Sequence, residues 1–415
     1  MIKQILKMLS PQNKYALIIF GKKIFSILLF VFIISSCSDK DPVIPEPDFE
    51  VLVSYEENLT RTKEEIAAII DFVGLDAIEA FIKYDITVYV ITYKTTFLNQ
   101  EIIASGLVAF PETNESIPML SFQHGTITLH SDAPTEDKNT YGLLSSVASA
   151  GYIFCIPDLI GFGSSKDKIH PYYHAESTAT PVVDILHGAE ELATFLGYNF
   201  DGNVFLGGYS EGGYATLATQ KMMEENPQAG WSLIASAPSS GGYDIKGVQK
   251  YFFSLETYHQ PSYLAYVALS YKTVYKSENI LTDIFQEPYA TNIPDLFDGS
   301  KSTSQINENL TFQLSELIQP DYLANGDTDI KYKYINDAFK ENSLDNWVPK
   351  IRTILYHGTE DITVPYQNSV DTYQKMLSLG ASEQVVSLVP LEGMNHNTGI
   401  YAYLEKALVV FETLK

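Results

Sequence analysis

Val204-Phe205-Leu206-Gly207-Gly208-Tyr209-Ser210-Glu211-Gly212-Gly213 is an apolar run that ends in a serine set between glycines. It reads as a strand, a tight turn and the start of a helix. A side chain at Gly208 or Gly212 would collide with the neighbouring strand or helix, so glycine is required where the backbone reverses. Ser210 is thereby pushed out at the tip. The helix that begins there aims its free N–H groups and positive dipole end at the space beside the hydroxyl, which suits a negative charge. G-x-S-x-G also occurs in turns of no chemical consequence, so the reading depends on partners. A serine hydroxyl near neutral pH needs a base, and the base needs an acid to fix its tautomer.

Working outward, residues 180–196 read as a long amphipathic helix before that strand, and residues 143–150 and 152–156 as a helix and a strand ahead of the turn Pro157-Asp158-Leu159-Ile160-Gly161-Phe162-Gly163. The stretch 119–126 holds a buried strand that runs straight into His124-Gly125. Residues 86–96 and 102–110 are rich in β-branched and aromatic side chains and read as an antiparallel pair ending at Pro111. Residues 62–73 have helical spacing at Ile66, Ile69, Ile70 and Val73, with Thr62 and Glu65 forming a capping pair. Strands alternating with helices at this length imply right-handed crossovers and a mostly parallel sheet, in which sites gather at the carboxyl ends of the strands. His124, Asp158 and Ser210 all fall at such ends. Between 241 and 348 the rhythm breaks into short amphipathic helices, at 261–275, 280–285 and 310–318.

Taken together, Gln123-His124-Gly125-Thr126, Pro157-Asp158 with Gly161 and Gly163, Gly208-Tyr209-Ser210-Glu211-Gly212, His357-Gly358-Thr359-Glu360-Asp361 and His396 resemble the α/β-hydrolase superfamily. Within it the chain is similar to the secreted lipase and esterase branch, where His170-Pro171-Tyr172 before a long helix also has a counterpart. The resemblance covers about residues 85–240 and 350–415. It implies an α/β-hydrolase fold, a mostly parallel central sheet flanked by helices, with a helical cap inserted between the nucleophile and acid strands. It implies that Ser210 is the nucleophile, that His396 is the general base and later the acid, and that Asp361 holds the imidazole, with the adjacent Glu360 as the alternative. The oxyanion would be met by the backbone N–H groups of Glu211 and Thr126. No cofactor and no metal are expected. His124 reads as a structural residue of its loop, and His170 with His174, four apart around Pro171, as pocket lining or packing in preference to a metal pair. Gly161-Phe162-Gly163 lacks both nucleotide-loop spacings and is a turn. The cap's tyrosines and phenylalanines would line a pocket, although most of them read as the cap's own core.

The N-terminus has a different character. Lys22-Lys23 precede the apolar run 24–34, too short to span a bilayer as a mature helix, and Ser35-Ser36-Cys37 follows. This resembles a bacterial lipoprotein leader in which Cys37 becomes the lipidated N-terminus; a non-cleaved anchor is the alternative. Either puts the body outside the cytoplasm. Residues 38–48 are acidic and proline-rich, a tether, and resemble the sorting signals that carry some lipoproteins to the outer membrane and its outer face. The domain reading is therefore signal peptide 1–36, tether 37–50, hydrolase core 51–240, cap 241–348 and core 349–415. The formal charge of −24 becomes −29 once the five lysines of 1–36, which contains no acids, are gone. A body this acidic repels nucleic acid and anionic headgroups, so membrane contact is expected only through the lipid. With Cys37 lipidated no disulfide is possible, and Cys155 reads as a buried small hydrophobe.

The resulting expectation is an extracytoplasmic serine hydrolase that cleaves a small-molecule or polysaccharide-linked carboxylic ester through an acyl-enzyme on Ser210. A serine peptidase on the same fold and a non-catalytic ligand-binding lipoprotein are the alternatives. Oligomeric state is left open.

Overall fold

Strands whose residues are buried along almost their whole length need helices on both faces, and the centre of this sheet is built that way. The structure, a computed structural model, describes residues 48–415; the leader 1–36, Cys37 and the tether up to residue 47 lie outside the described residues. Nine strands form one sheet: β1 (Leu52–Arg61), β2 (Ile86–Phe97), β3 (Gln100–Pro111), β4 (Ser116–Gln123), β5 (Ile153–Pro157), β6 (Asn199–Tyr209), β7 (Ser232–Ser239), β8 (Arg352–Gly358) and β9 (Val386–Leu391). Their order is β1-β2-β3-β5-β4-β6-β7-β8-β9. β1, β2, β3 and β5 pair antiparallel in succession, and every pairing from β5 through β4 to β9 is parallel. The chain leaves β4 for β5 on one side and returns to β6 on the other. That reversal opens a crevice at the carboxyl ends of β4 and β6, where a ligand site is expected.

The helices follow local signals. α1 (Lys63–Val73) starts at Thr62, whose hydroxyl accepts from Glu65 N while Glu65 caps Thr62 N, and it buries Ile66 and Ile70. α2 (Lys138–Leu144) passes into a tight 3-10 segment, Ser145–Ala150, where one continuous helix was expected. α3 (Ala175–Leu196) begins five residues before the expected start. The helix runs through Pro181 and is capped by His174, whose ring accepts from Ser177 N. The buried face Ala179, Val182, Val183, Ile185 and Leu186 spans the proline and offsets its missing donor. α4 (Glu211–Glu225) follows β6 directly.

Between β7 and β8 lie short helices and two isolated β-bridges, Thr257 with Gln313 and Phe285 with Ile318; among the helices are α5 (Ile245–Phe253), α6 (Pro261–Val274), α7 (Pro320–Asn325) and α8 (Lys333–Asn342). The segment's entry and exit meet, since Leu344 N donates to Tyr243 O at 2.7 Å. α9 (Tyr366–Ser378) and α10 (Gly399–Leu414) complete the chain. One apolar cluster joins Val88, Phe154 and Phe205 of the sheet to Leu408 and Phe411 of α10. Another joins Leu217 of α4 to Tyr266, Leu281 and Ile293 of the inserted helices. Residues 51–415 form one compact unit, the inserted helices included.

β1 and β7 had no signal in the sequence reading. β1 is an edge strand whose residues are mostly exposed and polar, with two register irregularities against β2. Polar residues and bulges on an edge blunt unwanted pairing and erase the apolar pattern that would reveal the strand. β7 is Ser-Leu-Ile-Ala-Ser-Ala-Pro-Ser, small residues that let it lie tightly between β6 and β8 and that carry little strand propensity.

Candidate active site

The backbone at Ser210 is forced into a sparsely populated region, with φ 62° and ψ −121°, and the flanking glycines show why. A Cβ on Gly208 would lie 2.3 Å from Gly212 O, and one on Gly212 would lie 1.9 Å from Gln123 O. Strand, turn and helix pass too closely for any side chain. A left-handed non-glycine residue of this kind costs about 1–3 kcal/mol and persists only where the surroundings hold it. Here Ser210 N donates to Ser239 O at 2.8 Å, and Gly208 N donates to the Tyr403 hydroxyl at 2.7 Å.

The partners arrive from two other strand ends. Asp361 stands just beyond β8, and His396 stands in the turn between β9 and α10. Gly358 lets these two loops touch, because a Cβ there would lie 2.4 Å from Met394 O. His396 Nε2 is 2.9 Å from Ser210 Oγ, and His396 Nδ1 is 2.6 Å from Asp361 Oδ2. Asp361 Oδ1 accepts from the backbone N–H groups of Thr363 at 2.9 Å and Val364 at 3.0 Å. Burial would raise the Asp361 carboxyl, but the histidines that face it outweigh burial and hold it down at about 2. His357 and His396 both contribute. His357 Nε2 lies 3.3 Å from the same Oδ2, but its nearer partner is Val364 O at 2.9 Å, and its Nδ1 meets Ser369 Oγ at 2.6 Å. An ionised acid on Nδ1 leaves Nε2 as the acceptor facing the serine hydroxyl, the tautomer that proton abstraction needs. Glu360 is exposed and outside this chain of contacts.

The remaining expected residues take up distinct positions. Glu211 is the first residue of α4, where the backbone N–H has no partner within the helix. Thr126 follows Gly125, whose added Cβ would sit 3.5 Å from Ser210 Cβ, so this loop lies against Ser210; the Thr126 hydroxyl is 2.8 Å from that of Tyr172. His124 is buried, its Nε2 meeting Asp158 O at 3.0 Å and its Nδ1 meeting Gly125 O at 2.8 Å. Asp158 sits at the expected strand end but does not reach the serine. It is fully buried, which pushes its carboxyl up, and it accepts from Ser105 Oγ, Thr135 N and Thr135 Oγ1. His170 and His174 diverge, the first bonding Ile160 O and the Glu211 carboxylate, the second capping α3. Among the described residues no group of His, Cys, Asp and Glu is arranged to hold a metal ion. Cys155 is buried and free, and burial pushes its thiol up.

Three features escaped the sequence reading. The Tyr209 hydroxyl donates to His396 O at 2.8 Å, so the residue before Ser210 tethers the His396 loop. The buried His170–Glu211 pair braces the first turn of α4 from a loop before α3. Both are contacts across space with no trace in local pattern. The third is a cavity of about 940 Å³, its open mouth included, that begins at Ser210 and runs under the inserted helices. Tyr172 lines it from the core, and Phe252, Phe253, Tyr258, Tyr263 and Leu314 line it from the insertion. Aromatic composition alone could not separate these side chains from the insertion's own packing.

Comparison with known proteins follows the same outline. A family model described as secretory lipase matches residues 135–399. Among solved structures, a hydrolase candidate from Legionella pneumophila is 27% identical, with a TM-score of 0.79 over 88% of this chain and 98% of that one. A mutant of the rice cell wall degrading esterase LipA from Xanthomonas oryzae is 25% identical, with a TM-score of 0.77 over 88% of this chain and 98% of that one. Candida antarctica lipase A, 14% identical with a TM-score of 0.61 over 83% and 77%, shares the fold. No curated protein matches the chain. The architecture common to these neighbours is the α/β-hydrolase fold.

Proposed function

This chain belongs to the secretory lipase family and is a lipase- or esterase-like hydrolase, and on that premise we propose that it cleaves carboxylic esters through an acyl-enzyme on Ser210. The observation that carries the proposal is the continuous hydrogen-bonded line from Asp361 through His396 to a serine on a strained turn. His396 takes the Ser210 proton as Oγ attacks the acyl carbon. The imidazolium, steadied by Asp361, then gives that proton to the departing alcohol. Water activated by the same imidazole frees the acid and restores the serine. The developing oxyanion is met by the N–H groups of Glu211 and Thr126, positions supported by the α4 N-terminus and by the contact of the Gly125 loop with Ser210.

The substrate is a small-molecule or polysaccharide-linked ester with no nucleic-acid partner, in keeping with an acidic body and an apolar cavity. The secretory character of the family supports a place outside the cytoplasm or in the envelope. No helix among the described residues is long and apolar enough to cross a membrane. We assign the anchoring to a lipid on Cys37 at the outer membrane, on the strength of the leader sequence. A panel of p-nitrophenyl esters of rising acyl length, with an anilide alongside, tests the reaction. Turnover of esters that falls by about 10⁴-fold or more in Ser210→Ala is expected. Anilide turnover without ester turnover would move the assignment to a peptidase, and an equally active Ser210→Ala would remove the serine mechanism.

A further inference from the structure

α5 presents Ile245, Val248, Gln249, Phe252 and Phe253 to the cavity, the spacing of one helix face. Four of these five are apolar, and Gln249 stands among them. Its carboxamide has a fixed orientation. Lys246 Nζ lies 2.5 Å from Gln249 Oε1 and also binds Asp327 and Asn336. An ammonium has only donors, so the amide oxygen must face it and the amide nitrogen must point away. Nε2 then donates to the Tyr322 hydroxyl at 2.8 Å. That assignment leaves two donors unused, the second N–H of Gln249 and the O–H of Tyr322. Among the hydrogen bonds of the described residues neither has an acceptor, although the side chains line the cavity and are only 6% and 3% exposed.

Unpaired donors in an apolar wall are costly unless a ligand supplies the acceptor. A hydrocarbon tail would leave them unpaired; a tail with a hydroxyl, alkoxy or carbonyl oxygen at that depth would pair them. The cavity also favours one half of the ester. His396 must hand its proton to the leaving alcohol, and it does not line the cavity, whereas Ser210 does. The alcohol therefore departs on the His396 side, and the acyl group occupies the cavity. We infer that Gln249 and Tyr322 form an acyl subsite that selects chains or rings bearing an acceptor oxygen remote from the carbonyl. This rests on the serine esterase reading for which half of the substrate fills the cavity.

Binding of product acids to the full-length protein, measured by calorimetry, separates the subsite from the reaction. Two matched series are compared, hydroxylated with unsubstituted phenylalkanoates and ω-hydroxy with plain alkanoates. The oxygenated member of at least one series should bind about tenfold tighter, one hydrogen bond's worth, and the series that shows it identifies a ring or a chain as the source of the oxygen. Tyr322→Phe keeps the ring contacts with Phe253 and Tyr332, at 5.4 and 4.8 Å, and should bring that ratio close to one. Gln249→Met should lower it as well, with thermal melting confirming that both variants fold. No preference in either series, or a preference untouched by both substitutions, overturns the subsite. A protein that keeps the preference yet hydrolyses no ester retains the subsite and loses the reaction; an esterase without it does the reverse.

Discussion

The three strand ends that carry Ser210, Asp361 and His396 and the inserted helices that roof them are built on opposite principles. Around the triad almost every position is set by the backbone: glycines where chains nearly touch, main-chain N–H groups on Asp361, a strained turn under Ser210. The insertion is a set of short helices held by a few backbone bonds, such as Tyr258 N to Phe312 O, and packed largely through side chains, with ring stacks such as Tyr172 on Tyr266 and Tyr266 on Phe297. Chemistry that tolerates errors well under an ångström sits on the first kind of structure. Choice of substrate sits on the second, where a changed side chain alters a wall and leaves the reacting atoms in place.

The sharpest way to break this contrast is to exchange neighbours within the rigid part. Asp361→Asn should lower kcat by about 10⁴-fold, because the amide favours the wrong imidazole tautomer, while Glu360→Gln should stay within about twofold. Comparable losses in steady-state assays of the two would mean that the loop is not held as described. A smaller effect comes from acid. The fold lowers the Asp361 pKa from 3.8 to about 2, so it favours the ionised form. The stability this contributes is fully present above about pH 3.8 and is lost as the pH falls through about 2. Melting curves should therefore show wild type more stable than Asp361→Asn by about 2 kcal/mol at pH 5, with the gap closing towards pH 2. A gap that widens on acidification would contradict the sign. Smallest of all, and confined to the roof, Phe252→Ala should enlarge the cavity and shift the preferred acyl length upward, changing kcat/KM ratios between long and short esters by about tenfold. A fall in kcat on all esters alike would show that the roof also positions the triad.

The same contrast explains what was legible in the sequence. Gly208, Ser210, Gly212, Asp361 and His396 announce themselves because close approach and strand-end placement demand particular residue types at particular spacings. The fold was legible for a related reason: β4, β5 and β6 are short apolar runs with helices between them. β1 was hidden by its polar edge, and the true start of α3 by Pro181, whose local cost is overruled by tertiary burial of the residues around it. Tyr209 on the His396 carbonyl, His170 on Glu211 and the Gln249–Tyr322 pair were invisible, since each joins segments whose meeting is decided by the whole fold.

The hydrogen bond from Leu344 N to Tyr243 O makes the insertion a loop closed at its neck. The sheet registers a short gap there, whatever the chain does beyond it. Tyr209 and Tyr403 bind the His396 loop and β7 to the strand of Ser210 inside the core, while Tyr258 and His259 of the insertion bond Thr363 beside Asp361. Such a neck is a cassette joint. New substrate ranges would be reached by exchanging the segment between Tyr243 and Leu344 as one unit, with the junction residues and the Tyr258 and His259 contacts to Thr363 kept.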